Sequence, residues 1–295
     1  MATINLSYYK GEDLYSDGEI ENDILSIVQA SANYDKILST ENRWPVLYHL
    51  SPMRRNLLEW YDFESDSRLL EIGAGCGALT GLFCEKTREV VAIELSRRRA
   101  QIIHERLRDR ENLSVYVGSI EDIETTGLFD YVTVIGVLEY AAKFSESSTP
   151  YHSFLQLAKS KLKPNGTLIL AIENRFGIKY WAGAREDHTG INFDGIEGYK
   201  GDRGLMTFGL QELQQLLSEC GFSATEFYYP MPDYKLPAEI FSDTFLPGIG
   251  HFKAMTPNYD MDRYVLFNEP LALNNIIRNG MFPYFANSFL VFARC

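Results

Sequence analysis

Three glycines within five residues, Gly73, Gly75 and Gly77, follow a short apolar run and precede a helical pattern. The run at 68–72 predicts a buried strand, and the pattern at 78–86 predicts a helix. Because glycine lacks a Cβ, the chain can turn sharply here and bring its backbone amides close to a ligand. The free N–H groups at the start of the helix would face that ligand. The segment therefore predicts a strand–turn–helix unit that binds a small molecule.

Short apolar runs alternate with helical patterns along most of the chain. Further strands are expected at 90–94, 113–117, 131–135, 167–172, 224–229 and 288–294. Further helices are expected at 19–31, 51–61, 96–108, 151–161 and 210–220. Wholly apolar strands that alternate with helices indicate a parallel sheet with both faces covered. The sequence thus predicts a doubly wound α/β fold with seven strands.

Two long segments, at about 173–209 and 230–286, interrupt this alternation. On a doubly wound sheet, ligands bind beyond the carboxyl ends of the parallel strands. Both segments leave from that rim, so we expect them to cover the ligand site. The second segment contains many prolines, which predicts a braced, irregular structure instead of a loose linker. These prolines are Pro230, Pro232, Pro237, Pro247, Pro257, Pro270 and Pro283.

Composition limits which partners and which cellular compartment are expected for this chain. The chain has 40 acidic and 28 basic residues and a net charge of -12, which makes nucleic acid a poor partner. Its four cysteines show neither close pairing nor metal-ligand spacing, which favours free thiols in a reducing cytoplasm. No run of about 18 apolar residues predicts a membrane span. A cytoplasmic protein without a metal site is expected.

The glycine turn alone also fits a nicotinamide or flavin fingerprint. Glu71 separates the two interpretations, because a carboxylate before the first glycine attracts an ammonium group and repels a pyrophosphate. Glu94 ends the second strand, where it would accept both ribose hydroxyls, although nicotinamide enzymes share such a residue. The segment 118–122 follows the third strand, where a polar side chain would meet the amine of adenine.

These features and the segment Leu162-Lys163-Pro164-Asn165-Gly166-Thr167-Leu168 resemble class I S-adenosylmethionine-dependent methyltransferases. The resemblance covers about 65–229 and the last strand. In that family the turn is E/D-x-G-x-G-x-G and the later motif is usually L-K-P-G-G. Here Asn165 replaces one glycine, a mild change because asparagine also tolerates left-handed geometry. The resemblance implies a Rossmann-like methyltransferase fold with strand order 3-2-1-4-5-7-6, an antiparallel last strand and S-adenosylmethionine as cofactor.

The expected cofactor contacts come from the strand ends and the turns that follow them. They are Glu71, Gly73, Ala74, Gly75, Gly77, Glu94, Leu95, Ser119, Ile120, Glu121 and Gly136. Residues 1–64 are expected to form an N-terminal helical cover. Residues 65–229 and 287–295 would form the methyltransferase core, and 230–286 would be an insertion on the acceptor side.

Methyl transfer needs a catalytic base only when the acceptor must lose a proton early, as a hydroxyl does. The rim offers Glu139, Tyr140, Glu173, Asn174, Asp187 and His188 as candidates. His188, beside the carboxylate of Asp187, is the most base-like. A purely structural histidine is the alternative for His188. Glu139 would line the cofactor sulfonium or hold its loop.

A narrower resemblance points to a class of acceptor. It rests on the segments 172–183, 186–190, 195–199, 228–237 and 242–243. These resemble methyltransferase modules found beside or fused to glycosyltransferases in bacterial surface-polysaccharide systems. That resemblance implies a small-molecule or glycan acceptor with a hydroxyl group. The many aromatic residues of the second insertion would stack on sugar rings or fill its core.

The leading hypothesis is O-methylation of a saccharide or another small hydroxylated metabolite. A nicotinamide-dependent oxidoreductase is one alternative, against which Glu71 argues. A cofactor-binding module or a cyclase that transfers no methyl group is another. A run of arginines after Glu94, at 97–99 and at 106, 108 and 110, is expected to form a solvated helix face.

Overall fold

The computed structural model describes residues 1–201, 204–259 and 261–295. The chain forms two compact units. The first comprises Met1–Val134 and Ser160–Thr167, and the second comprises Ile135–Lys159 and Leu168–Cys295. These boundaries differ from the predicted ones, because the predicted N-terminal cover and the first strands of the predicted core share one unit. The division into cover, core and insertion stays a prediction.

The first unit contains a parallel sheet. Its strands are β1 (Thr3–Asn5), β2 (Arg68–Ile72), β3 (Glu89–Glu94), β4 (Leu113–Val117) and β5 (Phe129–Ile135). They lie in the order β1-β4-β3-β2-β5, and their observed pairings are all parallel. Leu69, Leu70, Val90 and Val132 are fully buried, as expected when both faces of a parallel sheet are covered. The four strands predicted here, and their order 3-2-1-4, are confirmed.

The helices of the first unit lie before β2 and beside the glycine turn. They are α1 (Ile20–Ala30), α2 (Asp35–Leu38), α3 (Trp44–Leu50), a 3-10 helix (Pro52–Leu57), α4 (Thr80–Lys86) and α5 (Arg97–Leu107). Helices α1, α4 and α5 were predicted, whereas α2 and α3 were missed. The helix predicted at 51–61 begins as expected, with Pro52 at its start and the Ser51 side chain accepting the Met53 amide, but it is a 3-10 helix that ends at Leu57.

The N-terminal helices pack on the glycine turn. Ile24 and Val28 of α1 and Leu50 of α3 share one buried cluster with Cys76 and Ile102. Cys76 lies between two of the turn glycines, and Ile102 belongs to α5. Helices α1 and α3 are therefore part of the same hydrophobic core as the turn.

The second unit contains antiparallel strand pairing. Its strands are β6 (Leu162–Glu173), which enters this unit at Leu168, β7 (Ala224–Met231), β8 (Glu239–Ser242) and β9 (Ser288–Arg294). They lie in the order β6-β9-β7-β8, with β7 antiparallel to both β8 and β9. The predicted order 5-7-6 is confirmed. The predicted count of seven is corrected to nine among the described residues, because β1 and β8 are too short to show an alternating pattern.

Short helices fill the rest of the second unit. They are α6 (Ala141–Phe144), α7 (Pro150–Ser160), α8 (Ile178–Trp181), α9 (Leu210–Glu219), α10 (Glu269–Arg278) and α11 (Phe282–Phe285). Helix α9 buries Leu213, Leu216 and Leu217 as predicted. The proline-rich segment is more regular than expected, because it contains β8, α10 and α11. None of the helices in the described ranges has the length and apolarity that a membrane crossing requires.

Strand β6 begins five residues earlier than predicted. Asn165 adopts a left-handed φ of 66°, the geometry that asparagine tolerates where the related motif has glycine. This residue bends the extended segment without ending it. The Lys-Pro-Asn-Gly stretch, expected to precede the strand, instead belongs to it.

Candidate active site

The three glycines of the turn have left-handed backbones, with φ of 73° at Gly73, 56° at Gly75 and 77° at Gly77. All three therefore have the conformation that favours glycine, as predicted, but the atoms around each glycine differ. A Cβ on Gly77 would approach Cγ1 of Ile103 to 3.2 Å, so this glycine lets α5 pack against the turn. A Cβ on Gly75 would have His49 Cε1 as its nearest neighbour, at 3.9 Å. Gly75 therefore has room for a ligand, whereas Gly77 has a packing role that the motif did not reveal.

Two buried carboxylates flank this turn at the ends of adjacent strands. Oε2 of Glu71 accepts a hydrogen bond of 2.6 Å from the Thr80 hydroxyl. Glu94 accepts the amide of Gly75 at Oε2 over 2.7 Å and the amide of Ser96 at Oε1 over 3.0 Å. Burial, with a contribution from the charge of Glu94, raises the pKa of Glu71 to about 8. Burial also raises the pKa of Glu94.

This pair of carboxylates determines which ligand suits the turn. An ionised Glu94 repels a diphosphate and accepts hydrogen bonds from ribose hydroxyls, and an ammonium group beside Glu71 favours the ionised form of that carboxyl. The donor and acceptor set therefore fits S-adenosylmethionine better than a dinucleotide. Thr80, which holds Glu71 in place, was not predicted, although its position in the first turn of α4 puts its hydroxyl within reach of that strand end.

The remaining predicted cofactor residues lie at other strand ends. The amide of Ala74 bonds the Ile93 carbonyl over 3.0 Å, and Leu95 is half-buried directly after Glu94. After β4, Ile120 is buried and the Ser119 hydroxyl accepts the amide of Glu121 over 3.3 Å. Ser119 therefore braces its own loop.

Gly136 is the one predicted cofactor residue that lies in the second unit. It has a left-handed φ of 68°, and its amide bonds the Ala171 carbonyl over 2.9 Å. A Cβ at Gly136 would approach the Tyr234 hydroxyl to 2.7 Å. The close approach of Tyr234 thus explains the glycine within this unit.

An ion network ties the N-terminal segment to α5. Arg99 donates from Nη2 to Asp17 over 2.8 Å and from Nε to Glu21 over 2.7 Å. His49 Nε2 lies 3.0 Å from Asp17, and Arg106 Nη1 donates to the Cys76 carbonyl over 2.6 Å. The expectation of a solvated arginine face is wrong for Arg99 and Arg106, because both turn inward to hold the N-terminal segment and the glycine turn.

In the second unit, three of the rim candidates come together. Glu139 lies in a 3-10 turn after β5, Glu173 ends β6, and His188 lies in the loop after α8. Nε2 of His188 is 3.6 Å from Oε1 of Glu139 and 3.7 Å from Oε2 of Glu173. The side chains are 1%, 0% and 7% exposed for Glu139, Glu173 and His188. We call these three residues the histidine–carboxylate cluster.

Glu186 fixes the other side of the His188 ring. Its Oε1 lies 3.0 Å from Nδ1 of His188, and its Oε2 accepts the amides of His188 and Thr189 over 2.8 and 2.7 Å. Glu186 was not predicted as a site residue. Its position two residues before the histidine was the available signal, because that spacing lets a carboxylate fold back onto the ring.

Asp187 faces lysines. Its Oδ2 accepts Lys179 Nζ over 2.9 Å and Lys235 Nζ over 2.5 Å. Lys235 also bonds Oε1 of Glu173, and Lys179 lies 3.4 Å from Asp233. Burial alone would raise the pKa of the Asp187 carboxyl, but the two ammonium groups outweigh it and hold that pKa far below its usual range. Asp187 is thus an ionised partner of two lysines that the sequence did not single out.

The electrostatics of His188 bear on its predicted role as a base. Burial opposes a charged ring, but Glu173, Glu139 and Glu186 outweigh it and hold the pKa of His188 well above its usual value. An imidazolium has no lone pair with which to accept a proton. The role of His188 as general base stays a prediction. It requires that the ring first lose the proton that the neighbouring carboxylates stabilise, or that another cation replace this proton.

Several buried polar atoms near the His188 loop lack hydrogen-bond partners within the described residues. They are Oε2 of Glu139, Oε2 of Glu173 and the hydroxyl of Tyr180. A buried polar group without a partner costs about 1–3 kcal/mol, and more when it is charged. The histidine–carboxylate cluster therefore has acceptor capacity that these residues do not use.

A comparison with protein families decides the class of this chain. A family described as methyltransferase domain matches residues 47–226, which is more than half of the 295 residues. The chain belongs to this methyltransferase family. This membership agrees with the predicted class I S-adenosylmethionine-dependent methyltransferase family, and the oxidoreductase alternative receives no support.

Curated relatives match the methyltransferase over a smaller part. Ribosomal RNA small subunit methyltransferase A of Geobacter metallireducens is 33% identical over 70 residues, which are 24% of this chain and 26% of the relative. The protein of the same name from Syntrophus aciditrophicus is 28% identical over 82 residues, which are 28% and 27% of the two chains. The chain thus spans about a quarter of the length of these two relatives.

Solved structures share the fold of the methyltransferase. Phosphoethanolamine N-methyltransferase 1 of Haemonchus contortus, in complex with phosphoethanolamine and S-adenosylhomocysteine, has a TM-score of 0.51 at 12% identity. That match covers 94% of this chain and 48% of the other. An S-adenosylmethionine-dependent methyltransferase of Archaeoglobus fulgidus has a TM-score of 0.51 at 14% identity and covers 88% and 100% of the two chains. At these identities the likeness concerns the fold alone.

Proposed function

We propose that the methyltransferase transfers the methyl group of S-adenosylmethionine to a hydroxyl oxygen of a saccharide or another small hydroxylated metabolite. The histidine–carboxylate cluster would bind that hydroxyl. The main support for this proposal comes from the two buried carboxylates beside His188, Glu139 and Glu173. Each of them has one oxygen without a hydrogen-bond partner among the described residues. A hydroxyl donates a hydrogen bond to such an oxygen, and a carboxylate neighbour favours loss of its proton.

The cofactor half of the proposal rests on the glycine turn. The cofactor supplies a methyl group on a positively charged sulfonium, which is already activated for displacement. Glu71 would bind its ammonium group, and Glu94 would accept its ribose hydroxyls. Gly75 leaves the space in which the ligand approaches the backbone. The chain would thus mainly align the reactants, a contribution of about 7–11 kcal/mol in well-oriented reactions.

Two further observations support a small hydroxylated acceptor. The net charge of -12 disfavours a phosphate backbone, so RNA suits this chain less well than a small molecule. Aromatic side chains are exposed in the second unit, with Trp181 at 39%, Tyr284 at 44% and Tyr264 at 67%. Exposed aromatic faces can stack on sugar rings. Other aromatics, such as Tyr234 and Phe282, are buried and fill the core of this unit.

The test is a panel of acceptors assayed with isotopically labelled S-adenosylmethionine. The panel contains monosaccharides, nucleotide sugars and glycolipid headgroups as hydroxyl acceptors, phosphoethanolamine as an amine, and a ribosomal RNA fragment. Release of S-adenosylhomocysteine together with a labelled, base-stable ether on a hydroxyl acceptor is expected. Methylation of only the amine or the RNA would refute the proposed acceptor class, and cofactor binding without any transfer would favour the binding-module alternative.

A further inference from the structure

The spacing within the histidine–carboxylate cluster is unusual for protein groups in direct contact. One nitrogen of His188 and one oxygen each of Glu139 and Glu173 all lie within 4.8 Å of one another. The nitrogen-to-oxygen distances of 3.6 and 3.7 Å exceed the range of about 2.7–3.2 Å that hydrogen bonds occupy. The three ligand atoms therefore lie close together without a hydrogen bond of ordinary length between His188 and either carboxylate.

Such a spacing is what a shared metal ion produces. Ligand atoms about 2.0–2.2 Å from one ion, in tetrahedral directions, lie about 3.3–3.6 Å from each other. The nitrogen-to-oxygen distances of 3.6 and 3.7 Å lie at or just above the upper end of that range. The Oε2 atoms of Glu139 and Glu173 are also buried and lack hydrogen-bond partners in the described residues, so both carboxylates retain an oxygen for a cation.

The other nitrogen of the ring is held as metal-binding histidines usually are. A ligating histidine almost always donates its second ring N–H to a carboxylate or carbonyl, which fixes its orientation. Nδ1 of His188 lies 3.0 Å from Glu186, and two backbone amides hold that carboxylate in place. Nε2 is thereby turned toward the centre of the cluster.

The charged side chains around the cluster also favour binding of a cation, because acidic groups outnumber basic ones. Glu139, Glu173 and Glu186 surround the ring, and Asp187 and Asp233 lie beyond Glu173. Besides the ring of His188, whose proton a metal ion would replace, the cations bonded within this group are Lys179 and Lys235, and each of them contacts Asp187. Lys235 donates to Oε1 of Glu173, so Oε2 of Glu173 remains available within the cluster. Buried negative charge in excess of its partners is costly unless it binds a cation.

We propose that Glu139, Glu173 and His188 bind a divalent metal ion of the Mn²⁺ or Zn²⁺ type through two carboxylate oxygens and one imidazole nitrogen. A mixed set of oxygen and nitrogen donors suits these ions better than Mg²⁺ or Ca²⁺, which prefer oxygen donors alone. Three protein ligands leave at least one coordination position for water or a hydroxyl oxygen. A role of that position in catalysis rests on the proposed function, in which the acceptor supplies the hydroxyl.

The test measures metal binding to the full chain without cofactor or acceptor. After treatment with a chelator and its removal, Mn²⁺ is titrated and free Mn²⁺ is followed by electron paramagnetic resonance, with Zn²⁺ as competitor. One equivalent of Mn²⁺ is expected, and pulsed spectra of the complex should show coupling to a nitrogen nucleus, that of His188. No stoichiometric binding of either ion, or binding without nitrogen coupling, would overturn the proposal.

Matched variants locate the site. Glu139→Gln and Glu173→Gln should each weaken Mn²⁺ binding by about 100-fold or more, and Glu186→Gln by the 10–100-fold typical of groups that orient a ligand. Glu146→Gln, at an exposed carboxylate of the same unit, should bind as the unchanged chain does. Circular dichroism confirms that each variant is folded. Unchanged binding in both folded ligand variants contradicts the proposal.

Different results would refute the proposed acceptor and the proposed metal site. Mn²⁺ binding that depends on Glu139 and Glu173, with methylation of an amine only, would refute the hydroxyl acceptor and retain the metal site. Methylation of a hydroxyl acceptor by a chain that binds neither Mn²⁺ nor Zn²⁺ would refute the metal site and retain the acceptor.

Discussion

The backbone amide of Gly75 donates a 2.7 Å hydrogen bond to Oε2 of Glu94, nineteen residues further along the chain. The glycine turn and the end of the neighbouring strand are thereby joined without any ligand. The carboxylate that we expect to receive the ribose hydroxyls is therefore already positioned. Such preorganisation lowers the cost of ordering the site when the cofactor binds.

Gly75→Val should abolish cofactor binding, because a branched side chain at φ of 56° strains the turn and blocks the approach of the ligand to the backbone. Isothermal titration calorimetry with S-adenosylhomocysteine measures this loss. Gly198→Val is the control, because Gly198 also has a left-handed φ, but a Cβ added there would meet no described heavy atom within 4 Å. Unchanged affinity in Gly75→Val would remove the turn from the cofactor site.

The ligand-free chain should lose stability as the pH rises from about 4.5 to about 8. In the unfolded chain Glu71 titrates near its ordinary value of 4.5, whereas burial raises its folded pKa to about 8. Between these values the folded chain retains a proton that the unfolded chain has released, so stability falls as pH rises. Urea denaturation at several pH values measures the slope. Glu71→Gln should flatten it, and an equal slope in both proteins would contradict the assignment.

Cofactor binding near pH 7 should release a proton. Glu71 is mostly protonated in the ligand-free chain at this pH, and an ammonium group favours its ionised form. The calorimetric enthalpy of S-adenosylhomocysteine binding should then depend on the ionisation enthalpy of the buffer. The dependence should disappear in Glu71→Gln. Identical enthalpies in phosphate and Tris would show that Glu71 does not face the ammonium group.

His188→Ala should reduce turnover by about 10²–10⁴-fold, the range for loss of a group that handles a proton in the reaction. The affinity for S-adenosylhomocysteine should stay unchanged, because the predicted carboxylate contacts of that ligand lie in the first unit. His152→Ala is the matched control, since His152 is a partly exposed histidine of the second unit paired with Glu219. Near-normal turnover in His188→Ala would leave this residue with a structural role alone.

Arg99→Met should destabilise the chain by about 3–5 kcal/mol, because it leaves buried Glu21 and half-buried Asp17 without their cation. Arg97→Met, on the exposed side of the same helix, should change stability by less than about 0.5 kcal/mol. Urea denaturation of both variants measures the difference. Equal stabilities would indicate that the N-terminal segment contributes little to the folded state.

The sequence predicted the elements whose residues repeat a pattern over several turns or strand positions. Strands such as β2 and β3, and helices such as α5 and α9, carry that periodicity. Elements of three or four residues, such as β1 and α2, carry too few positions for a pattern and were missed. The seven predicted strands formed because hydrophobic burial dominates their sequence, whereas the short elements depend on neighbours distant in the chain.

For a related reason, only part of the site could be predicted from the sequence. Glu71 was identified because it stands two positions before the first glycine of the motif, and Glu94 because it ends the second strand. Glu139, Glu173 and His188 were each named as separate candidates, but no spacing in the sequence indicates that they meet. Lys235, which orients Glu173, lies 62 residues away from it in the chain. Contacts of that kind depend on tertiary structure and leave no local signal.

The side chain of Cys76 is buried in a cluster to which α1 and α3 contribute. The family match starts at residue 47 and so omits α1 altogether. A shortened protein designed on those boundaries would expose the face of the glycine turn that packs against α1 to water. In this methyltransferase, the tightness with which the cofactor is held is thus expected to depend on amino acids that lie outside the shared catalytic module.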